Sequence, residues 1–324
     1  MNILEDDFEC RFAGLPKGGR LLVWEITNKC NLKCAHCCNS SNSFVDENLE
    51  VSIDKIKTVV KQFKENQIVQ AYFSGGEPLC RKDFLDILNL IDTDYTEVSI
   101  ASNGTLLDDD TYVEELRKIN FRAISISLDS HIPAIHDDIR NCQGAFTKTV
   151  NGIKKCIDAG IIVRLSSMIL PSNVNFLEEQ LRFFVSLGVE NITLRTIFPV
   201  GRAKENKKFI VDADTDFSSL INIVDSLNKE FPKVNIEHNF LENSIIKTKN
   251  VCVCHGADNL IHIDSKGFVS SCSWLYKFDR KKFNGGNIKK HSLWLCINSI
   301  TDIMATLKQE YQGCPLEKLK TAYL

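Results

Sequence analysis

Cys30, Cys34 and Cys37 stand close together in the run Glu25-Ile-Thr-Asn-Lys-Cys-Asn-Leu-Lys-Cys-Ala-His-Cys37. Soft thiolates select iron–sulfur clusters, zinc or copper(I), and three of them on one short loop can clamp three irons of a cubane cluster. One iron would then stay free for chemistry, whereas four thiolates close the coordination shell. The competing chemistry is a structural zinc site in which Cys34 and Cys37 join cysteines from elsewhere in the chain. Cys38 follows directly and reads as a small buried neighbour, because adjacent side chains diverge on an extended backbone.

A second group lies at Ser74-Gly75-Gly76-Glu77-Pro78. The two glycines let the backbone approach a ligand without a Cβ in the way, and Glu77 can accept a charged hydrogen bond from an ammonium group. Taken alone, the sequence Gly-Gly-Glu-Pro is more often an ordinary turn. A third group begins with Cys252 and Cys254 and continues through Leu260-Ile-His-Ile-Asp-Ser-Lys-Gly267 to Cys272, with Cys314 further on. Asp264 to Gly267 reads as a hairpin turn that brings Cys272 back toward Cys254, so the two can share a metal. Zinc on Cys252, Cys254, Cys272 and Cys314 is the plain structural alternative.

The elements that must position these groups follow a simple rhythm. Apolar, β-rich runs at 21–27, 68–73, 97–101, 123–128, 161–169 and 191–198 alternate with helical spacing at 53–64, 82–91, 108–118, 146–159 and 176–187. Gly160 and Gly188 sit where two helices should stop, and the acidic residues at 108–110 sit where one should start. Such alternation implies a parallel sheet with right-handed crossovers. The expected architecture is α/β, a partial (β/α)6 TIM-like barrel carrying a small C-terminal β-hairpin plus helix region. Residues 1–20 form an extension, 21–235 the barrel and 236–324 the C-terminal unit. Chemistry belongs at the carboxyl ends of the strands, where the cysteine loop and Gly-Gly-Glu-Pro both fall.

The whole chain sets further bounds. At 324 residues it can bury a large core, and its net charge of -3 gives no field for binding a polyanion, which argues against nucleic acid as a partner. The basic run from Arg280 through Lys281 and Lys282 to Lys289 and Lys290 is a local exception, read as a solvated loop with docking of an acidic peptide as the alternative. No signal-peptide pattern opens the chain and no apolar run reaches membrane-spanning length, so a cytoplasmic protein without membrane contact is expected. Thirteen cysteines, an odd number, suit thiols and metal sites in a reducing compartment. Cys10, Cys80, Cys142 and Cys156 read as ordinary small core or surface residues, and giving up a thiol hydrogen atom is the alternative role for Cys142 and Cys296. His131, His136, His238, His255, His262 and His291 show no metal-ligand spacing and read as structural.

The C-x3-C-x2-C loop followed one βα unit later by Gly-Gly-Glu-Pro resembles the radical S-adenosylmethionine (SAM) superfamily, over roughly residues 20–200. The resemblance implies a 4Fe-4S cluster on Cys30, Cys34 and Cys37 whose free iron is chelated by SAM. One electron from a flavodoxin- or ferredoxin-type reductant would cleave the sulfonium to a 5′-deoxyadenosyl radical. It also places His36 near the adenine, Gly75, Gly76, Glu77 and Pro78 at the methionyl amine, Ser102 and Asn103 facing the cofactor, and Ser127, Asp129 and Arg140 around the methionyl carboxylate. Asp129 as a helix cap and Arg140 as a surface ion-pair residue are the structural alternatives. The segment from Arg195 to Arg202 is expected to line the substrate cavity.

The C-terminal cysteines resemble the SPASM or twitch auxiliary-cluster region of such enzymes, and only ten residues follow Cys314. One auxiliary 4Fe-4S cluster is therefore implied, on Cys254, Cys272 and Cys314, with Cys252, Cys296 or a non-protein group as the fourth ligand. The implied reaction is cross-linking, epimerisation or oxidation of a ribosomally made peptide or protein, with a separate leader-peptide binder. A dehydrogenase or epimerase of a small molecule such as an amino sugar is the alternative enzyme, and a zinc-stabilised binding protein is the alternative from another class.

Overall fold

The computed structural model describes residues 18–42, 45–197, 200–211, 215–238, 254 and 256–310. Each of the six apolar runs forms a strand: β1 (Arg20–Thr27), β2 (Ile68–Gly75), β3 (Glu97–Ser102), β4 (Ala123–Ser127), β5 (Val163–Ile169) and β6 (Asn191–Thr196). They lie side by side in chain order, all parallel. The five expected helices are Ile53–Val60, Phe84–Asn89, Asp110–Arg117, Ala145–Asp158 and Leu177–Ser186. Gly160 and Gly188 take φ of +78° and +87° just past the last two, the left-handed geometry that ends a helix most cheaply at glycine. The Asp109 carboxylate accepts a hydrogen bond from Thr111 N–H and caps the third.

The sheet extends beyond six strands on both sides. A seventh parallel strand, β7 (Asn235–His238), pairs with β6; it offers one buried apolar residue, Ile236, too little to register as an apolar run. At the other edge, β8 (Leu260–Ile263) lies parallel to β1, followed by antiparallel β9 (Phe268–Ser270) and β10 (Gly286–Asn287). Among the described residues the order is β10-β9-β8-β1-β2-β3-β4-β5-β6-β7, so the sheet stays open, a partial barrel. The expected hairpin is present. Asp264 O accepts from Gly267 N–H at 2.9 Å, Asp264 Oδ1 accepts from Phe268 N–H at 2.8 Å, and Gly267 has φ of +88°. The hairpin is stitched to the edge of the barrel sheet itself. Helix Pro133–Arg140 follows β4, and helices Arg202–Glu205, Phe217–Glu230, Ser273–Phe278 and Leu293–Glu310 lie after β6.

Alternation along β1 separates two apolar layers. Leu22, Trp24 and Ile26 join the main core under the helices, where Trp24 stacks on Phe73 and Phe73 meets Phe84 edge-on. Val23, on the opposite face, packs in a second cluster with Cys254, Cys272, Leu275, Phe283 and Met304. Phe283 is fully buried at the centre of the hairpin unit. Replacing it with alanine should cost about 3–5 kcal/mol, read from urea unfolding of the cluster-free protein, and should make Cys254 and Cys272 accessible to thiol reagents.

Candidate active site

Two loops at the carboxyl ends of β1 and β2 interlock through their backbones. Gly76 N–H donates to Thr27 O at 2.7 Å and Glu77 N–H to Lys29 O at 2.8 Å. A Cβ on Gly75 would overlap the Thr27 carbonyl oxygen and one on Gly76 the Lys29 carbonyl oxygen, and Gly75 has φ of +132°. The Gly-Gly pair therefore admits the cysteine loop's own backbone. Asn39 Nδ2 donates to Gly75 O at 2.7 Å, and Cys30 N–H donates to Asn42 Oδ1 at 3.1 Å. Glu50 Oε1 accepts from Asn28 N–H and from the Thr27 hydroxyl.

The far side of the loop is braced from the segment after β6. Arg202 Nε donates to Cys34 O at 2.8 Å, Arg202 Nη1 to Ser41 O at 2.7 Å, and Arg202 N–H to Cys37 O at 3.0 Å. Gly201, with φ of +60°, passes so close to the Cys37 and Cys38 carbonyls that a Cβ would collide with both. At the end of the segment expected to line a substrate cavity, Gly201 and Arg202 hold the loop's shape.

Hydrogen-bond donors surround the thiols. Leu32 N–H lies 3.4 Å from Cys30 Sγ, Asn103 Nδ2 4.0 Å from the same sulfur, and Arg140 Nη1 3.9 Å from Cys34 Sγ. Burial pushes the Cys30 thiol up to about 12 and raises Cys34 as well, with the Arg140 charge opposing it at Cys34. Bound metal drives such thiols to thiolate, and donors aimed at sulfur stabilise that charge. Among the described residues no three Cys, His, Asp or Glu side chains converge as a single ion requires. The Cys30 and Cys34 sulfurs, each with donors aimed at it, have surroundings that suit cluster-bound thiolates.

Asp129 and Arg140 form a buried ion pair at 2.6 Å. Asp129 Oδ1 also accepts from Met168 N–H, and despite its burial the Arg140 charge holds its carboxyl below the usual range. Asp129 is thus the partner of Arg140 rather than a helix cap, and Arg140 is buried rather than on the surface. Arg140 Nε is buried and has no hydrogen-bond partner among the described residues, which leaves a charged donor for an acceptor such as a carboxylate. Ser127 ends the neighbouring β4.

Glu77 is fully buried, and its carboxylate faces protein groups: Oε1 accepts from the Ser102 hydroxyl at 3.0 Å and from Leu79 N–H, and Oε2 accepts from Asn103 N–H at 2.7 Å. Burial outweighs these bonds and lifts its pKa to about 7. The side chain ties the β2 loop to the β3 loop, and Pro78 starts the short turn that follows. Asn103 in turn reaches Asn31 Oδ1 at 2.8 Å. His36, desolvated to a pKa of about 4, sits 6.0 Å from the Phe209 ring.

The remaining candidates are scattered or paired. Cys254 and Cys272 are both buried in the second apolar cluster and near enough to act on each other electrostatically. Cys38 packs against that cluster from the cysteine loop. Cys296 is fully buried in the main core, its sulfur against Gly286, and Cys142 follows helix Pro133–Arg140 with its thiol toward Gln143 O. Cys156 is fully buried, as a packing residue should be. Cys10, Cys252 and Cys314 lie outside the described residues.

A three-thiol loop held rigidly at the carboxyl end of an open parallel barrel defines a metallocluster enzyme scaffold. The Radical SAM superfamily model matches residues 24–185, and the chain belongs to that superfamily, whose members are enzymes of radical chemistry that bind a 4Fe-4S cluster and SAM. Among curated relatives, a GTP 3′,8-cyclase of Clostridium perfringens is 28% identical over 81% of this chain and 83% of its own length. The antilisterial bacteriocin subtilosin biosynthesis protein AlbA of Bacillus subtilis is 29% identical over 56% of this chain, which spans 40% of AlbA. Streptococcus suis SuiB bound to SAM shares the fold with a TM-score of 0.68 at 15% identity, over 85% of this chain and 64% of that one; SuiB has also been crystallised with its precursor peptide SuiA. Among the described residues no helix is long and apolar enough to cross a membrane.

Two outcomes test this geometry. Gly76→Ala should cost about 1–3 kcal/mol through overpacking against Lys29 and reduce iron uptake on reconstitution, measured by unfolding and iron assay. His136 is buried beside Arg140, with burial first and then the Arg140 charge lowering its pKa to about 4, and its Nδ1 accepts from Asp129 N–H. The unfolded chain takes up this proton near pH 6.5 and the folded chain only near 4, so stability present above pH 6.5 is lost as pH falls through that window. Urea titrations at pH 7 and 5 should show His136→Gln losing about 2 kcal/mol less than wild type between the two.

Proposed function

We propose that this enzyme uses a 4Fe-4S cluster on Cys30, Cys34 and Cys37 to cleave SAM and modifies a ribosomally made peptide or protein side chain. The observation that carries the reading is the interlocked cysteine loop with the free Arg140 donor beside it, at the open end of the barrel. Held by Cys30, Cys34 and Cys37, the cluster would supply one-electron reductive cleavage of SAM and, through it, hydrogen-atom abstraction from the substrate. The chain's own part is to hold and orient. Arg140, fixed by Asp129, offers Nε to the methionyl carboxylate beside Ser127; the loop at Gly75–Pro78, fixed by Glu77, offers backbone to the methionyl amine; His36 remains neutral where an adenine would pack.

Cys254 and Cys272 supply two thiols for one auxiliary 4Fe-4S cluster, with Cys314 as the third and Cys252 as the candidate fourth. Cys296, packed in a separate core, fits that role less well. The peptide reading is supported by AlbA and by the SuiB–SuiA complex. A second reading, radical conversion of a small molecule, is favoured by the similarity to GTP 3′,8-cyclase, which runs through most of both chains.

Anaerobically purified protein should be brown and carry about four irons and four sulfides per cluster, and dithionite with SAM should yield 5′-deoxyadenosine. Cys34→Ala should abolish that product. Stoichiometric zinc without iron, or product formation that survives Cys34→Ala, would sink the reading.

A further inference from the structure

Two arginines on the inner face of the sheet are left unassigned by the proposed chemistry. Along β5, Val163, Leu165 and Ile169 join the core under the helices, and the buried Ser167 hydroxyl between them accepts from Gln180 Nε2 of helix Leu177–Ser186 at 2.9 Å. Along β6, Ile192 and Leu194 join the same core. Alternation turns Arg164, Ser166 and Met168, with Thr193 and Arg195, to the opposite face, into the barrel. All five are only partly buried, as are Ser125 and Ser127 on β4. The C-terminal unit fills the other side of this interior, where Val23 and Tyr72 pack in the cluster of Leu275 and Phe283. The wall from β4 to β6 is left accessible.

Charge on this face does not balance. Strands β1 to β7 turn three carboxylates inward, and each has another partner. Glu25 Oε1 accepts from Lys277 Nζ at 2.5 Å and lies 3.2 Å from His262 Nε2. Glu97, exposed at the start of β3, pairs with Arg122, and Glu237, exposed on β7, accepts from Asn235 Nδ2 at 2.8 Å. Above the sheet, Asp129 is taken by Arg140. Among the described residues Arg164 and Arg195 have no ion-pair partner, and the Nε of each is buried without a hydrogen bond. A desolvated guanidinium with no partner is strongly destabilising, so two of them on one wall call for a ligand of opposite charge.

Their placement says where that ligand sits. Arg195 lies beside Met168 in the sheet register, and Met168 N–H donates at 3.0 Å to Asp129, the carboxylate that pins Arg140. Arg195 is therefore level with the site assigned to SAM. Arg164, between Ser125 and Asn191 in the register, is four residues deeper, about 14 Å away by strand geometry. The hydroxyls of Ser166 and Thr193 lie between the two levels. We propose that Arg164 and Arg195 form an oxyanion-binding wall inside the barrel and hold a carboxylate or phosphate of the substrate next to bound SAM. A guanidinium fork matches the paired oxygens of either group. The inference rests on the reading of the site given above and narrows its substrate to an anionic one: a peptide with an acidic side chain near the modified residue, or a small molecule bearing phosphate.

The test is calorimetric titration of the anaerobic, cluster-loaded full chain saturated with SAM, at constant ionic strength, with glutarate as the carboxylate probe and inorganic phosphate as the phosphate probe. At least one should bind, and Arg164→Gln and Arg195→Gln should each weaken it about tenfold, the loss expected for a charged hydrogen bond. Preference for glutarate supports an acidic peptide as the source of the group, preference for phosphate a phosphorylated small molecule. Urea unfolding of the cluster-free chain separates this from a structural role: replacing an unpaired arginine should leave the midpoint unchanged or raise it. Absence of binding by both probes overturns the inference, as does equal affinity in the wild type and the double variant. SAM affinity that falls in step with probe affinity also overturns it, because the arginines would then belong to the SAM site. These three results leave the cluster assignment intact. A wild-type chain that takes up no cluster overturns both.

Discussion

The contact on which the site depends is between main chains. The carbonyls of Thr27 and Lys29 are taken by the amides of Gly76 and Glu77, at a separation that any side chain on residues 75 or 76 would prevent. That contact fixes the course of the cysteine loop on one flank, and Arg202 repeats the device on the other by gripping the carbonyls of Cys34, Cys37 and Ser41. A constellation held by packed backbone is positioned more tightly than one held by side chains on a free loop.

Burial without compensation recurs around this frame. Glu77, the Cys30 and Cys34 thiols and His36 all lean toward their neutral forms because water is excluded. Among the described residues, Asp129 with Arg140 and Glu25 with Lys277 are buried carboxylates that keep their charge beside a pinned opposite one. A low-dielectric surrounding makes each of these paired charges count for more.

Much of this was legible in the chain. The six strands and five helices follow from apolar spacing, the helix ends from Gly160 and Gly188, and the hairpin from Asp264 to Gly267, because these are local signals. Cys30, Cys34, Cys37 and the Gly-Gly-Glu-Pro turn were visible by type and spacing. What was hidden required knowing which surfaces meet. The glycines suggest room for a ligand, and the room goes to Thr27 and Lys29; Glu77 suggests a partner for an ammonium, and its carboxylate meets Ser102, Leu79 and Asn103. Helix Pro133–Arg140, eight residues long, is too short to declare itself by apolar spacing. No local pattern tells that β8 adds to the edge of β1, and without that pairing Lys277 cannot be placed against Glu25, some two hundred and fifty positions away in sequence.

That pairing of β1 with β8, Leu21 beside Leu260, has a bearing on biogenesis. As the ribosome works from the N-terminus, the first strand and its cysteines emerge early and must wait with one edge bare while most of the polypeptide is still being made. Long-range parallel pairing of this kind is slow to form and exposes a sticky edge in the meantime. The nascent chain thus passes through an interval in which the cysteine loop has emerged while the β1 edge that β8 will cover is still bare.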